Sequence, residues 1–387
     1  MRGPTRDGSR EPCPGPPGSL APRGAAVLFA LACAAAGLLV AGCPARHDGG
    51  PVTVVVTDEK SGAAGMNPED IEKAARVEGE LVWYTSTPEK EATAFLAAFQ
   101  RKYPFLRPRL YRSGTFETVQ KMEEEIKSGD VHADVLHVLD VGIFIDLRRR
   151  GELLAYAPPE EADIGDQFEE PGYWWAMRLV DIAMAYNSSK LPSERAPRTW
   201  QDLLRPEFKG QLGFKDAGTA GTAYAEYYLL RERFGTYFWE QIAAQNPRIY
   251  RSSAAVMDDL AEGRVLIAGE MPGYAIYSAA REGKPIVGVW PKEGVPFIPG
   301  PIAILSRSPH PNAAKLFVNF ALSHDGQALC RQLTGAYSAR RDVGPLAGQP
   351  PLSAFHLLTP TAGWDDYFQK QERLRNELAG FFRTGTE

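Results

Sequence analysis

From Gly79 onward the chain alternates short apolar runs with segments of helical periodicity, and most of the runs end in a polar turn rich in glycine or hydroxyl residues. That alternation restricts the fold to a mainly parallel sheet flanked by helices, because parallel neighbours need a crossover and a helix supplies it. Leu81–Tyr84 reads as the first strand and Glu89–Tyr103 as its helix, with Phe95, Leu96 and Phe99 facing the core. Arg109–Tyr111 with the helix Phe116–Lys127 repeats the unit, and Asp134–Leu139 with the helix Ile143–Arg150 repeats it again. Further strands are expected at Ala176–Tyr186, Leu212–Phe214, Gly263–Ala268 and Ile302–Leu305, and helices near Ala223, over Ala254–Leu260, from Asn312 and through Leu333. Asn312 is a candidate cap, behind Pro309 and Pro311.

The 387 residues suit two domains of ordinary size, and 44% hydrophobic with 24% charged residues describes a globular chain. A formal charge of -5 gives no general attraction to nucleic acid or acidic membranes, so any anion site must be local. Arg2, Arg6, Arg10 and Arg23 precede the apolar run Ala25–Val40, which ends at Val40-Ala41-Gly42-Cys43. This is a signal-like segment, and its ending resembles a bacterial lipobox, in which Cys43 is lipidated and becomes the first mature residue. The competing reading is an uncleaved anchor, with the run near the lower length limit for a span. Cleavage removes Cys13 and Cys33, which leaves Cys330 without a disulfide partner. Residues 43–76 read as a tether, with a stray strand at Val52–Val56 and a short helix at Glu69–Ala75.

Three stretches have unusual wording: G-V-W-P-K-E-G from Gly288, S-P-H-P-N-A-A-K-L-F-V-N-F from Ser308, and Y-S-A-R-R-D-V from Tyr337. The chain from about Gly79 to Val343 resembles ABC-transporter solute-binding proteins, in the branch of ferric-iron, phosphonate and sugar-phosphate binders. The resemblance implies an α/β fold of two lobes (type II), each a mainly parallel sheet, with ligand held in the cleft between them. It assigns 77–186 and 300–387 to lobe 1 and 187–299 to lobe 2, with crossings at Ala176–Tyr186 and Val295–Leu305.

Ligands of open α/β sheets bind beyond the carboxyl ends of strands, where helix starts offer free N–H groups. The candidates there are Thr85, Ser86 and Thr87 after the first strand, Arg112 and Ser113 after the second, and Asp140 after the third. Ser86 or Thr87 is read either as a helix cap or as a ligand contact, and Arg112 either as an anion clamp or as a solvated surface residue. At the first crossing stand Trp175 and Arg178. In lobe 2, Gly218, Thr219, Gly221 and Thr222 form the best anion loop, although the ending of a nucleotide-binding loop is missing. Glu270 and Tyr274 follow the next strand, and Tyr337 returns to the cleft or packs at the hinge. A charge at an exposed helix end gains roughly 0.3–1 kcal/mol, whereas micromolar binding needs about 8 kcal/mol. Several loops from both lobes must therefore converge on one ligand.

Ferric-iron members of the resembled branch carry two adjacent tyrosines. Here Tyr274 is followed by Ala275, and no His lies between Thr85 and Glu91. Hard ferric iron prefers anionic oxygen donors, so a small organic anion (a phosphonate, phosphate ester or carboxylate) is the expected solute, with ferric iron plus an anion as the alternative. No metal or cofactor is expected. An enzyme of the same fold, such as a thiaminase-like transferase, would need Cys330 as nucleophile, yet that residue sits in an expected helix and the nearest His in sequence, His324, lies in the break before it. A sensory binding protein that reports to a membrane receptor is the third class. The expectation is a monomeric, lipid-anchored extracytoplasmic binding protein that serves an ABC permease and does not bind nucleic acid.

Overall fold

A computed structural model describes residues 67–216 and 221–383, all within the unit Glu59–Glu387. Cys43, Val52–Val56, Gly218 and Thr219 lie outside the described residues.

The first element is a helix, α1 (Pro68–Glu78), started by the Asn67 side chain and by proline in its first turn. Ile71 and Ala75 are buried in the lobe 1 core, so the lobe begins ahead of residue 77 and takes in the end of the expected tether. Then come β1 (Glu80–Thr85), α2 (Glu89–Lys102), β2 (Arg107–Arg112), α3 (Thr115–Ser128), β3 (Val135–His137) and α4 (Val141–Arg149). β2, β1 and β3 lie side by side in parallel, as the sequence alternation requires.

After the two-residue β4 (Glu169–Glu170) the chain enters β5 (Trp174–Asn187), fourteen residues long and buried throughout. Lobe 2 contains β6 (Leu212–Lys215), α5 (Gly221–Phe234), α6 (Thr236–Ala244), β7 (Arg248–Tyr250), α7 (Ser253–Glu262), β8 (Ile267–Pro272), α8 (Gly273–Arg281) and β9 (Ile286–Val289). The return is β10 (Val295–Ile304), followed by α9 (Pro311–Leu322), α10 (His324–Thr334), β11 (Leu357–Leu358) and α11 (Trp364–Arg383).

One sheet runs through both lobes in the order β2-β1-β3-β10-β5-β8-β6-β7. β5 makes the crossing: Trp175 to Asp181 pair with β10, whereas Ile182 to Asn187 pair with β8 and β9. The β5–β10 ladder shifts register at Gly300/Pro301. Pro296, Pro299 and Pro301 lack N–H donors, which weakens the ladder where the lobes meet.

Three expectations are corrected. The strand expected at Gly263–Ala268 lies further on, at Ile267–Pro272, because Gly263 ends α7 in the left-handed region and Arg264 turns back to Asp259 before the chain joins the sheet. Asn312 does not cap α9. The Glu78 carboxylate accepts from the backbone N–H groups of Asn312 and Ala313 instead, so the end of α1 closes the start of α9. Gly288 and Val289, within the G-V-W-P-K-E-G wording, belong to an edge strand. Residues 300–387 are not confined to lobe 1, since α11 packs on α4 of lobe 1 and on α5 and α6 of lobe 2.

Y-S-A-R-R-D-V has a structural role. Arg340, 6% exposed, bonds Glu160, Asp163, Asp342 and the Leu322 carbonyl, which fixes the loop after α4 to the end of α9. Ser338 donates to Gln327, whose amide donates to backbone carbonyls of β5 and α9.

Candidate functional site

In lobe 1 the parallel strands β1, β2 and β3 bring their carboxyl ends to one edge. Thr85 Oγ1 bonds Thr87 Oγ1 at 3.1 Å and accepts from the Thr87 N–H at 3.0 Å, a closed hydroxyl turn at the start of α2. Arg112 Nε donates to the Thr87 carbonyl at 3.2 Å and Ser113 N–H to that of Thr85, so the first and second candidate loops form one surface. Ser86 donates its N–H to the His137 carbonyl, but its Oγ is buried with no partner.

Asp140 caps α4 through Gly142 N–H, and its other oxygen accepts from Gln371 and from Arg375 at 2.7 Å. Burial raises its pKa despite those donors. Gly221 of lobe 2 meets this edge: a methyl group there would collide with the Leu139 carbonyl, so glycine is what lets the two lobes touch. Asp140 and Gly221 at the start of α5 therefore border the same seam, although Asp140 itself is taken up by α11.

At the crossing the two singled-out residues separate. Trp175 is fully buried in the lobe 1 core and donates to Glu161 at 2.9 Å, so it belongs to the packing and not to a ligand surface. Arg178 is 2% exposed, yet among the described residues it makes no hydrogen bond or ion pair, and its Nε is buried with no partner. It stands opposite Gly300 on β10. Its charge acts on His137, which burial first and Arg178 second push down to about 3.

Lobe 2 contributes a buried charge cluster. Lys215, at the end of β6, lies 2.9 Å from Glu270 Oε1 on β8 and donates to Thr222 Oγ1 at 2.6 Å. Glu226, one helical turn beyond Thr222, is 1% exposed, and burial together with Glu270 holds its carboxyl well above the usual range while Lys215 opposes them. Glu270 and Thr222 thus share Lys215. Tyr274 opens α8 and packs against Gly335, while the Tyr337 hydroxyl donates to the Pro350 carbonyl at 3.0 Å among Phe297 and Phe355, which makes Tyr337 a packing residue of the hinge.

Sequence reasoning passed over Asp181, His137, Lys215, Glu226 and Arg375. Asp181 carried a readable signal, as one of two charges in an otherwise apolar crossing strand. It is fully buried, Trp290 donates to its Oδ2 at 2.6 Å, and its Oδ1 has no partner. Burial pushes its pKa up to about 6. A carboxyl raised on folding binds more protons in the native state, so its contribution is complete below the unfolded value of about 4. It is lost as pH rises through about 6. Asp181→Asn is accordingly expected to stabilise the protein at pH 8 by on the order of 2–3 kcal/mol and to be near neutral at pH 4. Thermal melts of both proteins at the two pH values check this, and equal gains at both would refute it.

Cys330 is buried, and burial raises its thiol pKa, which removes the thiolate a nucleophile needs. Among the described residues no group of three or more His, Cys, Asp or Glu side chains is placed to hold a metal ion, and no helix is long and apolar enough to cross a membrane.

A profile for bacterial extracellular solute-binding proteins matches residues 144–359. An uncharacterised protein of Haemophilus influenzae is 28% identical over 283 residues, 69% of this chain and 79% of that protein. A proposed 2-aminoethylphosphonate-binding periplasmic protein of Salmonella typhimurium is 26% identical over 176 residues, 42% of this chain and 51% of its own length. Among solved structures, iron-bound HitA from Pseudomonas aeruginosa superposes with a TM-score of 0.68 at 21% identity, covering 80% of this chain and 99% of that one. AfuA from Actinobacillus pleuropneumoniae, bound to fructose-6-phosphate, gives 0.70 at 23% identity, covering 79% and 99%. At these identities the structures establish the two-lobe fold. Of these, the Salmonella protein and AfuA are described as periplasmic binding proteins. With the profile spanning more than half of it, the chain belongs to the bacterial extracellular solute-binding protein family.

Proposed function

We propose that the protein captures a small organic anion, a phosphonate, phosphate ester or carboxylate, between its lobes and delivers it to the permease of an ABC importer. The observation that carries this reading is Arg178, a cation almost wholly buried at the crossing with no acidic partner among the described residues. A buried unpaired charge is costly, and a bound anion removes the cost. The same charge repels a ferric ion, which argues against iron as the cargo. Ser86, with its unpaired hydroxyl, and the start of α2 add neutral donors on one side, and the sequence that carries Gly218, Thr219, Gly221 and Thr222 is proposed to supply the donors of lobe 2. Arg112, Ser113 and Tyr274 complete the proposed surround. The protein acts as a monomer, tethered through a lipid on Cys43 to the extracytoplasmic face of the membrane, and it consumes no substrate.

Native mass spectrometry with metal analysis, on protein purified without refolding, tests the cargo. An organic oxyanion with no stoichiometric iron is expected, and stoichiometric iron overturns the reading. If nothing co-purifies, calorimetric titration with 2-aminoethylphosphonate, fructose 6-phosphate and citrate must show binding by one of them. Cys43→Ser is expected to move the full-length protein from the membrane to the soluble fraction, and retention at the membrane would refute the anchor.

A further inference from the structure

His137 stands at the end of β3, and its ring faces the crossing strands. Its Nδ1 lies 2.8 Å from the Pro301 carbonyl oxygen. A carbonyl can only accept, so Nδ1 carries the proton. The imidazole is completely buried beside Arg178 and therefore neutral, which leaves Nε2 as a bare lone pair. Nε2 is buried and has no partner. The charged group acting on the ring is Arg178 from β5, while its register partners on β1 and β10 are the neutral Thr85 and Ile302.

The side chains that carry the acceptor and the unpaired cation approach the same point of the backbone. A Cβ built on Gly300 would sit 2.9 Å from His137 Cε1 and 3.2 Å from Arg178 Cγ, so the two side chains flank the same glycine. Ser86, whose hydroxyl is also buried without a partner, holds the His137 carbonyl. A fully deprotonated anion satisfies Arg178 but sets an oxygen lone pair against the lone pair of Nε2. An oxyanion that retains one proton satisfies both, by donating O–H to Nε2 while its charged oxygens meet the guanidinium.

Building on the anion-binding reading above, we propose that His137 is a specificity residue that admits singly protonated phosphonates and phosphate esters and rejects sulfonates and sulfate esters of the same shape. Sites built to bond a ligand hydrogen discriminate strongly against the analogue without it, because the buried partner is left unpaired.

Calorimetry of the full protein with matched pairs tests this: 2-aminoethylphosphonate against taurine, methylphosphonate against methanesulfonate, and inorganic phosphate against sulfate. The phosphorus member of a pair is expected to bind at least ~100-fold more tightly. Its affinity should fall about tenfold per pH unit above the ligand's last ionisation, at about pH 6 for a phosphate monoester. His137→Gln is expected to reduce the discrimination to below roughly tenfold. Should that core variant fail to fold, the 15N shift of His137 Nε2 in the wild type provides the second readout, moving when the phosphonate binds and unmoved by the sulfonate. Equal binding of phosphorus and sulfur ligands, an affinity flat from pH 6 to 9, or an Nε2 signal that ignores the phosphonate would each overturn the inference and leave anion binding intact. Binding of no oxyanion at all would overturn both.

Discussion

Arg178→Met is expected to weaken anion binding strongly and, in the same protein, to raise the melting temperature of the ligand-free form. The two effects have opposite signs because one fact underlies both. Arg178 is buried on a strand packed on both faces, with no hydrogen bond and no carboxylate in ion-pair range among the described residues. Several kcal/mol of desolvation then stand uncompensated until an anion arrives. Methionine keeps much of the apolar stem and removes the charge, so the ligand-free fold should gain on the order of 1–3 kcal/mol. Loss of the guanidinium should weaken the Kd for the identified oxyanion by at least ~100-fold, about 2.8 kcal/mol at 1.4 kcal/mol per decade. Arg178→Lys retains the charge without the planar fork and should fall between the two. A structural arginine would behave oppositely, with a lower melting temperature and unchanged affinity in the methionine variant. Calorimetry and thermal melts on one preparation separate the two cases.

The scaffold was legible because it rests on local rules. The strands at Leu81, Arg109 and Leu212 and their following helices show in periodicity and turn chemistry, and each is found within a few residues of its expected place. The crossing at β5 was visible as an apolar run too long for one lobe's sheet. β8 was displaced because Gly263 reads equally well as the start of a strand and as the end of a helix, and the ion pair of Arg264 with Asp259 decides between them. The site was less legible, since its chemistry lies in which groups go unpaired. Arg178 and Trp175 look alike as polar-tipped residues on one strand, yet Glu161, fourteen residues earlier, satisfies the indole and nothing satisfies the guanidinium. His137 carried no signal of its own in the sequence. Its actual partner is the Pro301 carbonyl, which only the fold brings beside it.

Removal of α11 is expected to cost more stability than any other change considered, because this helix is part of the lobe 2 core and also reaches lobe 1. Tyr367, Leu374 and Leu378 are buried among lobe 2 side chains, and Tyr224 donates to the Tyr367 carbonyl at 2.9 Å. On the lobe 1 side, Arg149 pairs with Asp365 and lies over Phe368, while Arg375 bonds Asp140 with its guanidinium over both Phe116 of α3 and Tyr224 of α5. At roughly 1.5–3 kcal/mol for each large side chain returned to water, truncation after Gly363 should lose about 5 kcal/mol or more, comparable to the whole stability of many domains. Leu374→Ala alone should cost about 2–5 kcal/mol in chemical denaturation, and a change within half a kcal/mol would show α11 to be an appendage. Arg375→Ala tests the bridge separately from the core. It leaves the buried Asp140 carboxyl without its cation and removes a ring contact from each lobe, so the lobes should separate more readily. Small-angle scattering of the ligand-free variant should give a larger radius of gyration than the wild type, with the two converging once ligand is bound. Unchanged ligand-free dimensions would mean that β5 and β10 alone set the angle between the lobes.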